Sequence, residues 1–374
     1  MSKARELAEL GAVYDSGALS NRNMVINGGM QVWQRATAAT ASANNYTTAD
    51  RYQMYEATDG AYTTQQSTGN AADTGHDTAL QANVTTADGT IAAGQYAAIL
   101  HRIEAQNLQH LRWGTAAGKN LVLSFWVKSN KTGIYSLSTE KSDSTTYRRV
   151  NEFTINVANT WEQKTIKIPP LTNSNSGGTI TNDNGLGIKF EWCLAYGSTF
   201  TTTSLDQWIT TAHFASTNQV NWMDSTSNNF YLTGVQLEVG TEATPFEHRS
   251  FGDELQRCER YYQVLLKYGD SSNSANGTLG ATALMYNSTY MSVPLTFRTR
   301  MRAAPTVVSA NSTGCFKMYR NNGNDPFDDF AAGTGRTPYS IELYNTTDMS
   351  GTAGHAGFIE TVNSDATLAV DAEL

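Results

Sequence analysis

The sequence predicts an all-β chain: a jelly-roll β-sandwich, then a short helix and a smaller C-terminal β-sandwich domain. Three observations lead there. Charged residues make up 16% of the 374 positions, against about 25% in an average globular protein, so Thr, Ser, Asn, Gln and Gly build the polar surface. Short apolar or alternating runs recur between clusters of turn residues with few helical stretches between them, which argues against a parallel α/β sheet. Aromatics reach 10%, too many for a disordered chain.

The chain divides by pattern into residues 1–22, 23–249, 250–269 and 270–374. Residues 2–10 read as a short helix, with Ser2 as its cap and Leu7 and Leu10 on one face. Residues 11–22 read as a linker rich in Gly, Ser and Asn. Strands then follow at Met24–Ile26, Gln31–Gln34, Arg51–Glu56, Tyr96–Glu104, Asn120–Ser129, Gly133–Ser138, Glu152–Val157, Trp161–Ile168, Gly187–Ala195 and Phe230–Glu238. In the fifth of these, Leu121, Leu123, Phe125 and Val127 share one face, and Val122, Ser124 and Trp126 the other. The stretches 36–48, 57–90, 139–150, 171–185 and 198–228 read as polar loops, where ligand recognition commonly sits.

Residues 251–268 read as a helix, capped by Ser250 or Asp253 and stopped by Gly269. Leu255, Cys258, Tyr262 and Leu265 form a two-heptad seam. Such a seam suits either a connector packed on a sheet or a trimer axis. Pro245 breaks the strand before it, and Glu247, His248 and Arg249 are placed for charge-assisted hydrogen bonds that fix the helix. Beyond a Ser/Asn/Gly linker, strands resume at Ala281–Asn287, Met291–Phe297, Thr306–Ala310, Cys315–Tyr319, Tyr339–Tyr344, Gly357–Val362 and Leu368–Ala372.

Several function classes are disfavoured. Lys plus Arg is 26 and Asp plus Glu is 34, a net charge of −8, the wrong sign for a nucleic-acid binder. No run of about 20 apolar residues exists, so no membrane insertion is expected. The N-terminus lacks the apolar core of a signal peptide. Cys193, Cys258 and Cys315 are far apart and without CxxC spacing, so neither a disulfide framework nor a zinc knuckle is expected. The chain is expected to fold in a reducing cytoplasm.

No hydrolase, phosphate-loop or dinucleotide motif occurs, so the expectation is no enzyme, no cofactor and no metal. His101 and Glu104 fall on opposite faces of a strand, and His110 lies beyond. Glu140, Asp143, Glu152, Asp183 and Glu191 are carboxylates that sequence alone does not pair. Sugars stack on exposed aromatic faces. Trp126, Trp161 and Trp192 lie in strong strands and read as core or half-buried. Trp208 and Trp222, in the loop-rich 198–228 segment with Tyr196 and Phe200 nearby, are the candidate ligand-binding residues.

Two resemblances follow. The order NMVINGGMQVWQR (23–35), TADRY (48–52), LVLSFWVKS (121–129), WEQKTIKIP (161–169) and FYLTGVQLEVG (230–240) resembles the jelly-roll carbohydrate-binding modules found beside glycoside hydrolases. Many of these hold a structural calcium through acidic residues of the last strand. Here those places are Thr233 and Gly234, so no calcium site is implied.

The second resemblance covers nearly the whole chain. SKARELAEL, NRNMVINGGMQVWQR, TADRY, the run FYLTGVQLEVGTEATPFEHRSFGDELQRCERYYQ (230–263), VPLTFRTRMRAAPTVV (293–308) and the end LAVDAEL resemble phage tail fibre or receptor-binding proteins. That resemblance implies a virion protein made in the host cytoplasm. It implies a homotrimer held to other phage proteins by its N-terminus, with Leu7 and Leu10 as anchoring residues. The sandwich would face a bacterial surface polysaccharide. A head fibre, capsid decoration or tail adaptor protein that uses the sandwich for assembly is the alternative. A freestanding sugar-binding module or depolymerase is a third reading, without the long β-helix repeat that glycan-cutting fibres usually carry.

Overall fold

The computed structural model describes residues 21–40, 45–269, 276–310 and 312–374. The expected helix over 2–10, with Leu7 and Leu10, lies outside the described residues. The chain forms two compact units, one running to Glu254 and the other from Leu255 to Glu373. Both are β-structures, and among the described residues no helix is long and apolar enough to cross a membrane.

The strands of the first unit are β1 Ala38–Thr40, β2 Tyr52–Ala57, β3 Ala61–Thr68, β4 Thr78–Thr86, β5 Tyr96–Glu104, β6 Leu121–Ser129, β7 Gly133–Lys141, β8 Tyr147–Ile155, β9 Glu162–Ile168, β10 Leu186–Tyr196, β11 Thr201–Thr202, β12 Trp208–Ile209, β13 Ala215–Ser216 and β14 Asn229–Val239. Of these, β11 and β13 pair separately, and the other twelve form two six-stranded sheets that make a jelly-roll sandwich. The first runs β1-β3-β4-β14-β6-β9 and the second β12-β8-β7-β10-β5-β2. The last strand, β14, is not at an edge: it closes the first sheet between β4 and β6.

Alternation decides which side chains meet between the sheets. Leu121, Leu123, Phe125 and Val127 are all fully buried, as their spacing predicts. From the facing sheet come Ile99, Leu137, Phe153, Phe190 and Trp192. Phe125 packs edge-on against Phe153 at 5.3 Å and Trp192 at 5.7 Å. Burying each such side chain contributes roughly 1.5–3 kcal/mol, which is why this shared seam, and not the polar loops, holds the sandwich.

The structure corrects several sequence expectations. Residues 57–90 are not one polar loop, because they hold β3 and β4. Their outward positions are Thr and Gln, which hides the strand pattern from an apolar count, yet Tyr62, Thr64, Leu80 and Ala82 alternate inward. Thr is itself a good strand former. β1 lies within the expected loop 36–48, and β8 begins at Tyr147 inside the expected loop 139–150.

Met24–Ile26 and Gln31–Gln34 are not strands. They form an arch wound around the side chain of Asn27. Its Nδ2 donates to the carbonyls of Val32 (2.9 Å) and Asp50 (3.0 Å). Its Oδ1 accepts the N–H groups of Gln31 (2.8 Å) and Val32 (3.0 Å). Asn27 sits at φ 60°, a left-handed conformation that Asn tolerates. At Gly28 an added Cβ would lie 2.1 Å from the Val235 carbonyl of β14. The Asn-Gly pair is therefore explained by backbone geometry.

The junction after β14 behaves as its charges suggest. Glu247 accepts the backbone N–H groups of Arg22 (3.2 Å) and Asn23 (2.9 Å). Arg249 reaches Glu254 at 3.3 Å and the Val25 carbonyl at 3.1 Å. His248 makes ring contacts with Phe246 and His76.

The helix α1 covers Phe251–Glu259 only. From Tyr262 the chain becomes β15 (Tyr262–Lys267), which pairs with the C-terminal strand. This corrects the expected helix over 251–268. Tyr262 and Leu265, half of the heptad seam, are strand residues, because the aromatic and branched run YYQVLL finds an antiparallel partner.

The second unit continues with β16 Thr278–Met285, β17 Met291–Thr296, β18 Thr306–Ser309, β19 Phe316–Arg320, β20 Gly323–Phe327, β21 Ala331–Ala332, β22 Ser340–Asn345, β23 Ala356–Thr361 and β24 Thr367–Asp371. A three-stranded sheet, β15-β24-β18, faces a seven-stranded sheet, β20-β19-β23-β16-β17-β22-β21. Leu266, Leu368 and Val370 of the first meet Met285, Met291, Met318 and Ile359 of the second in one core.

Candidate functional site

The outer face of the second sheet carries a row of charged side chains and a group of aromatic rings. Register places them. Lys189 of β10 stands opposite Arg102 of β5 and Glu140 of β7, and Glu140 opposite Arg148 of β8. Residues opposite one another share a face. Two positions along, Glu191 stands opposite Leu100 and Ser138. At the far end Tyr196 pairs with Tyr96, and Tyr55 of β2 joins from the edge strand.

Loops complete the cluster. After Tyr196 the chain turns at Gly197, where an added Cβ would lie 1.9 Å from the Ala92 carbonyl. A short 3-10 turn then sets Phe200, and the Phe214 N–H donates to the Phe200 carbonyl at 2.8 Å. Five half-buried rings result. Tyr55 stacks on Tyr96 at 4.2 Å. Tyr96 lies 6.1 Å from Tyr196 and 5.9 Å from Phe200. Phe214 lies 6.0 Å from Tyr196 and 5.9 Å from Phe200. Arg148 and Lys189 cover the Phe214 ring at 4.9 and 5.2 Å, within cation–π range.

The charges beneath are mutually satisfied. Arg148 Nε donates to Glu140 at 2.7 Å, and Lys189 reaches Glu140 at 3.4 Å and Glu191 at 3.3 Å. The Tyr196 hydroxyl donates to Glu191. Burial works to raise the Glu140 pKa, but Lys189 and Arg148 outweigh it and hold the carboxyl below its usual range. Glu191 is almost fully buried; that burial, with Glu140 nearby, pushes its pKa up despite Lys189. Three cations, Arg102, Arg148 and Lys189, stand against the two carboxylates of this row. It offers donors and acceptors beside apolar ring faces.

Of the four residues expected from sequence, the structure brings Tyr196 and Phe200 into this cluster and leaves the two tryptophans out. Trp222 is fully buried, packed edge-on against Tyr62 at 5.6 Å, with its Nε1 donating to the Asn229 carbonyl. It is not a ligand platform: a loop position does not imply exposure when the ring pins the loop to the core. Trp208 is half-buried elsewhere, 5.5 Å from Trp113 and bonded to the Pro169 carbonyl. Trp192 is core, while Trp126 and Trp161 are half-buried, as their strand positions suggest.

Tyr55, Tyr96 and Lys189 carry no expectation from the sequence, and Glu191 figures there only as one of five unpaired carboxylates, although strand parity sets all four outward. Phe214 carries no sequence signal, since only the loop fold brings it to Phe200. His101 turns inward, with its Nε2 3.1 Å from the Ile26 carbonyl. At the place of the calcium ligands, Thr233 donates to the Thr78 carbonyl at 2.8 Å. Gly234 has φ 59°, and an added Cβ would meet His76 at 2.5 Å. Among the described residues no group of three or more His, Cys, Asp or Glu is arranged to hold a metal.

No family model and no curated protein matches the sequence. Among solved structures, the chain is similar to the enzymatically active domain of bacteriophage CBA120 tailspike protein 4, with 14% identity and a TM-score of 0.31 over 58% of this chain. It spans about a fifth of that tailspike's length, 21%. It is also similar to a family 11 carbohydrate-binding module from Clostridium thermocellum, with 14% identity and a TM-score of 0.29 over 56% of this chain and 99% of the module. A third is the N-terminal cellulose-binding domain of Cellulomonas fimi β-1,4-glucanase C, with 12% identity and a TM-score of 0.28 over 51% of this chain and 90% of that domain. TM-scores this low assign no family, and the jelly-roll sandwich rests on the strand pairing described above.

Proposed function

We propose that this chain is a phage virion protein, a homotrimeric tail fibre whose first unit attaches to a bacterial surface glycan. The observation that carries the glycan reading is the five-ring cluster of Tyr55, Tyr96, Tyr196, Phe200 and Phe214 beside the ion-paired row of Glu140, Arg148, Lys189 and Glu191. Pyranose rings present apolar CH faces to aromatic rings and hydroxyls to charged acceptors and donors. With three cations to two carboxylates, the row suits a neutral or weakly acidic sugar segment. The virion placement, the trimer and the attachment by residues 1–22 rest on the sequence resemblance to phage fibre proteins. The role in this reading is binding without cleavage: the sequence carries no hydrolase motif, and Glu140 and Glu191 are each engaged by Lys189.

The test is competition. Purified chain added to host cells is expected to block adsorption of the parent phage, and Phe214→Ala with Tyr96→Ala to lose the block while remaining folded. Adsorption unchanged at saturating protein would sink the attachment role. Antibody signal over the capsid instead of the tail would select the head-fibre or decoration role. Release of reducing sugar from capsule or lipopolysaccharide would overturn the non-catalytic reading.

A further inference from the structure

We propose that the outer face of the seven-stranded sheet in the second unit is the surface through which copies of this chain associate. This deepens the oligomer reading above and rests on it only for the number of copies.

Large apolar side chains are exposed unequally. Of those exposed among the described residues, Leu284, Tyr286, Val308, Tyr319, Tyr339, Phe358 and Val362 lie in the second unit, and Val157 and Phe251 in the first, which is about twice as long. Register gathers three of them on one surface. Asn324, Tyr319, Phe358 and Thr282 form one row across β20, β19, β23 and β16. Ala356, Leu284, Ser292, Tyr344 and Ala331 form the next. Both rows point away from the core, which takes Met285, Met318 and Ile359 on the opposite face. Tyr319 and Phe358 stack at 5.3 Å and are 37% and 44% exposed.

The same face has a hole as well as knobs. β16 and β17 pair only at Leu284–Ser292 and Met285–Met291. Continuing that register sets Thr282 opposite Pro294, and proline has no N–H to donate. A slot of about 720 Å³ opens there, from Gly280, Thr282 and Pro294 on this face down to the core-side residues Leu265, Leu279, Leu295 and Ile341. At Gly280, on its rim, an added Cβ would meet nothing within 4 Å.

Charge and area favour a second copy as the occupant. The chain carries −8 overall, whereas on this face the charges around Leu284, Tyr319 and Phe358 are engaged: Lys317 is paired with Glu360 at 3.0 Å and Glu342 accepts from Ser292 at 2.6 Å. Seven strands at ordinary spacing and length present roughly 500 Å² per copy, or about 1,000 Å² for a pair, where specific interfaces begin. The edges of this sheet are blunted by Pro326 in β20 and by the two-residue β21, so for this sheet face packing is the open route.

The experiment is light scattering on the full-length chain over a concentration series. Wild type is expected at two or more times 40.7 kDa. Leu284→Arg with Phe358→Arg is expected to return the mass to 40.7 kDa with unchanged melting. Gly280→Leu, which fills the slot without introducing charge, is expected to weaken association at least tenfold. Val157→Arg in the first unit is expected to change nothing. A monomeric wild type, or a mass unmoved by both sheet-face variants, overturns the proposal. Glycan affinity of the first unit, measured on the Leu284→Arg, Phe358→Arg variant, tests the attachment reading separately.

Discussion

Substituting Asn27 by Ala tests whether the NMVINGG segment is structural. The side chain satisfies four backbone groups, but they are not equally vulnerable. Gln31 is exposed, so water replaces its partner. The Val32 carbonyl keeps a second donor, the Asp50 N–H at 3.1 Å. The Val32 N–H and the Asp50 carbonyl are left buried without this partner, at about 1–3 kcal/mol each. Alanine at φ 60° adds about 1 kcal/mol. Asn27→Ala is therefore expected to cost about 4 kcal/mol, and Asn27→Gly about 3 because glycine escapes the backbone term. For a unit of this size that is a fall in Tm of roughly 8–16 °C. Tryptophan fluorescence in urea is the assay, since all seven tryptophans precede residue 223 and report on the first unit alone. A loss under about 1 kcal/mol in Asn27→Ala, or identical losses in the two variants, would refute the arch as described.

Two further outcomes follow from buried rings. His101 donates its Nε2 proton to the Ile26 carbonyl, and burial, with Arg51 and Arg102 nearby, holds its pKa at about 3. Its contribution is whole above the unfolded value near 6.5 and is lost as pH falls below it, about 2 kcal/mol by pH 5 and more toward pH 3. His101→Gln should flatten that acid limb in denaturant titrations at pH 7 and pH 5; an unchanged slope would assign the limb to other groups. Trp222→Ala should cost about 3–5 kcal/mol as a core truncation, whereas half-buried Trp208→Ala should cost less. Calorimetry that ranks them the other way would contradict the burial, and neither change should alter glycan affinity once the protein is folded.

What the sequence determined by itself is the all-β class, most strand positions and the inward face of each strong strand. Those follow from local rules: a two-residue period, turn chemistry and β-branched propensity act within a few residues. β5 runs from Tyr96 to Glu104 as read, and Leu121, Leu123, Phe125 and Val127 line the core as read. Where polar residues occupy the outward positions, as in β3 and β4, the same rules fall silent. Where a helical spacing and a strand run share residues, as at Tyr262 and Leu265, only pairing with β24 decides. The site was half legible for the same reason. Tyr196 and Phe200 lie close in sequence, and both join the cluster. Tyr55, Tyr96 and Phe214 join them through sheet order and one loop hydrogen bond, contacts between residues far apart in the chain. Trp222 went to the core because burying an indole contributes more than exposing it in a loop. That choice depends on which space the folded sandwich leaves to fill, and a linear pattern does not encode it.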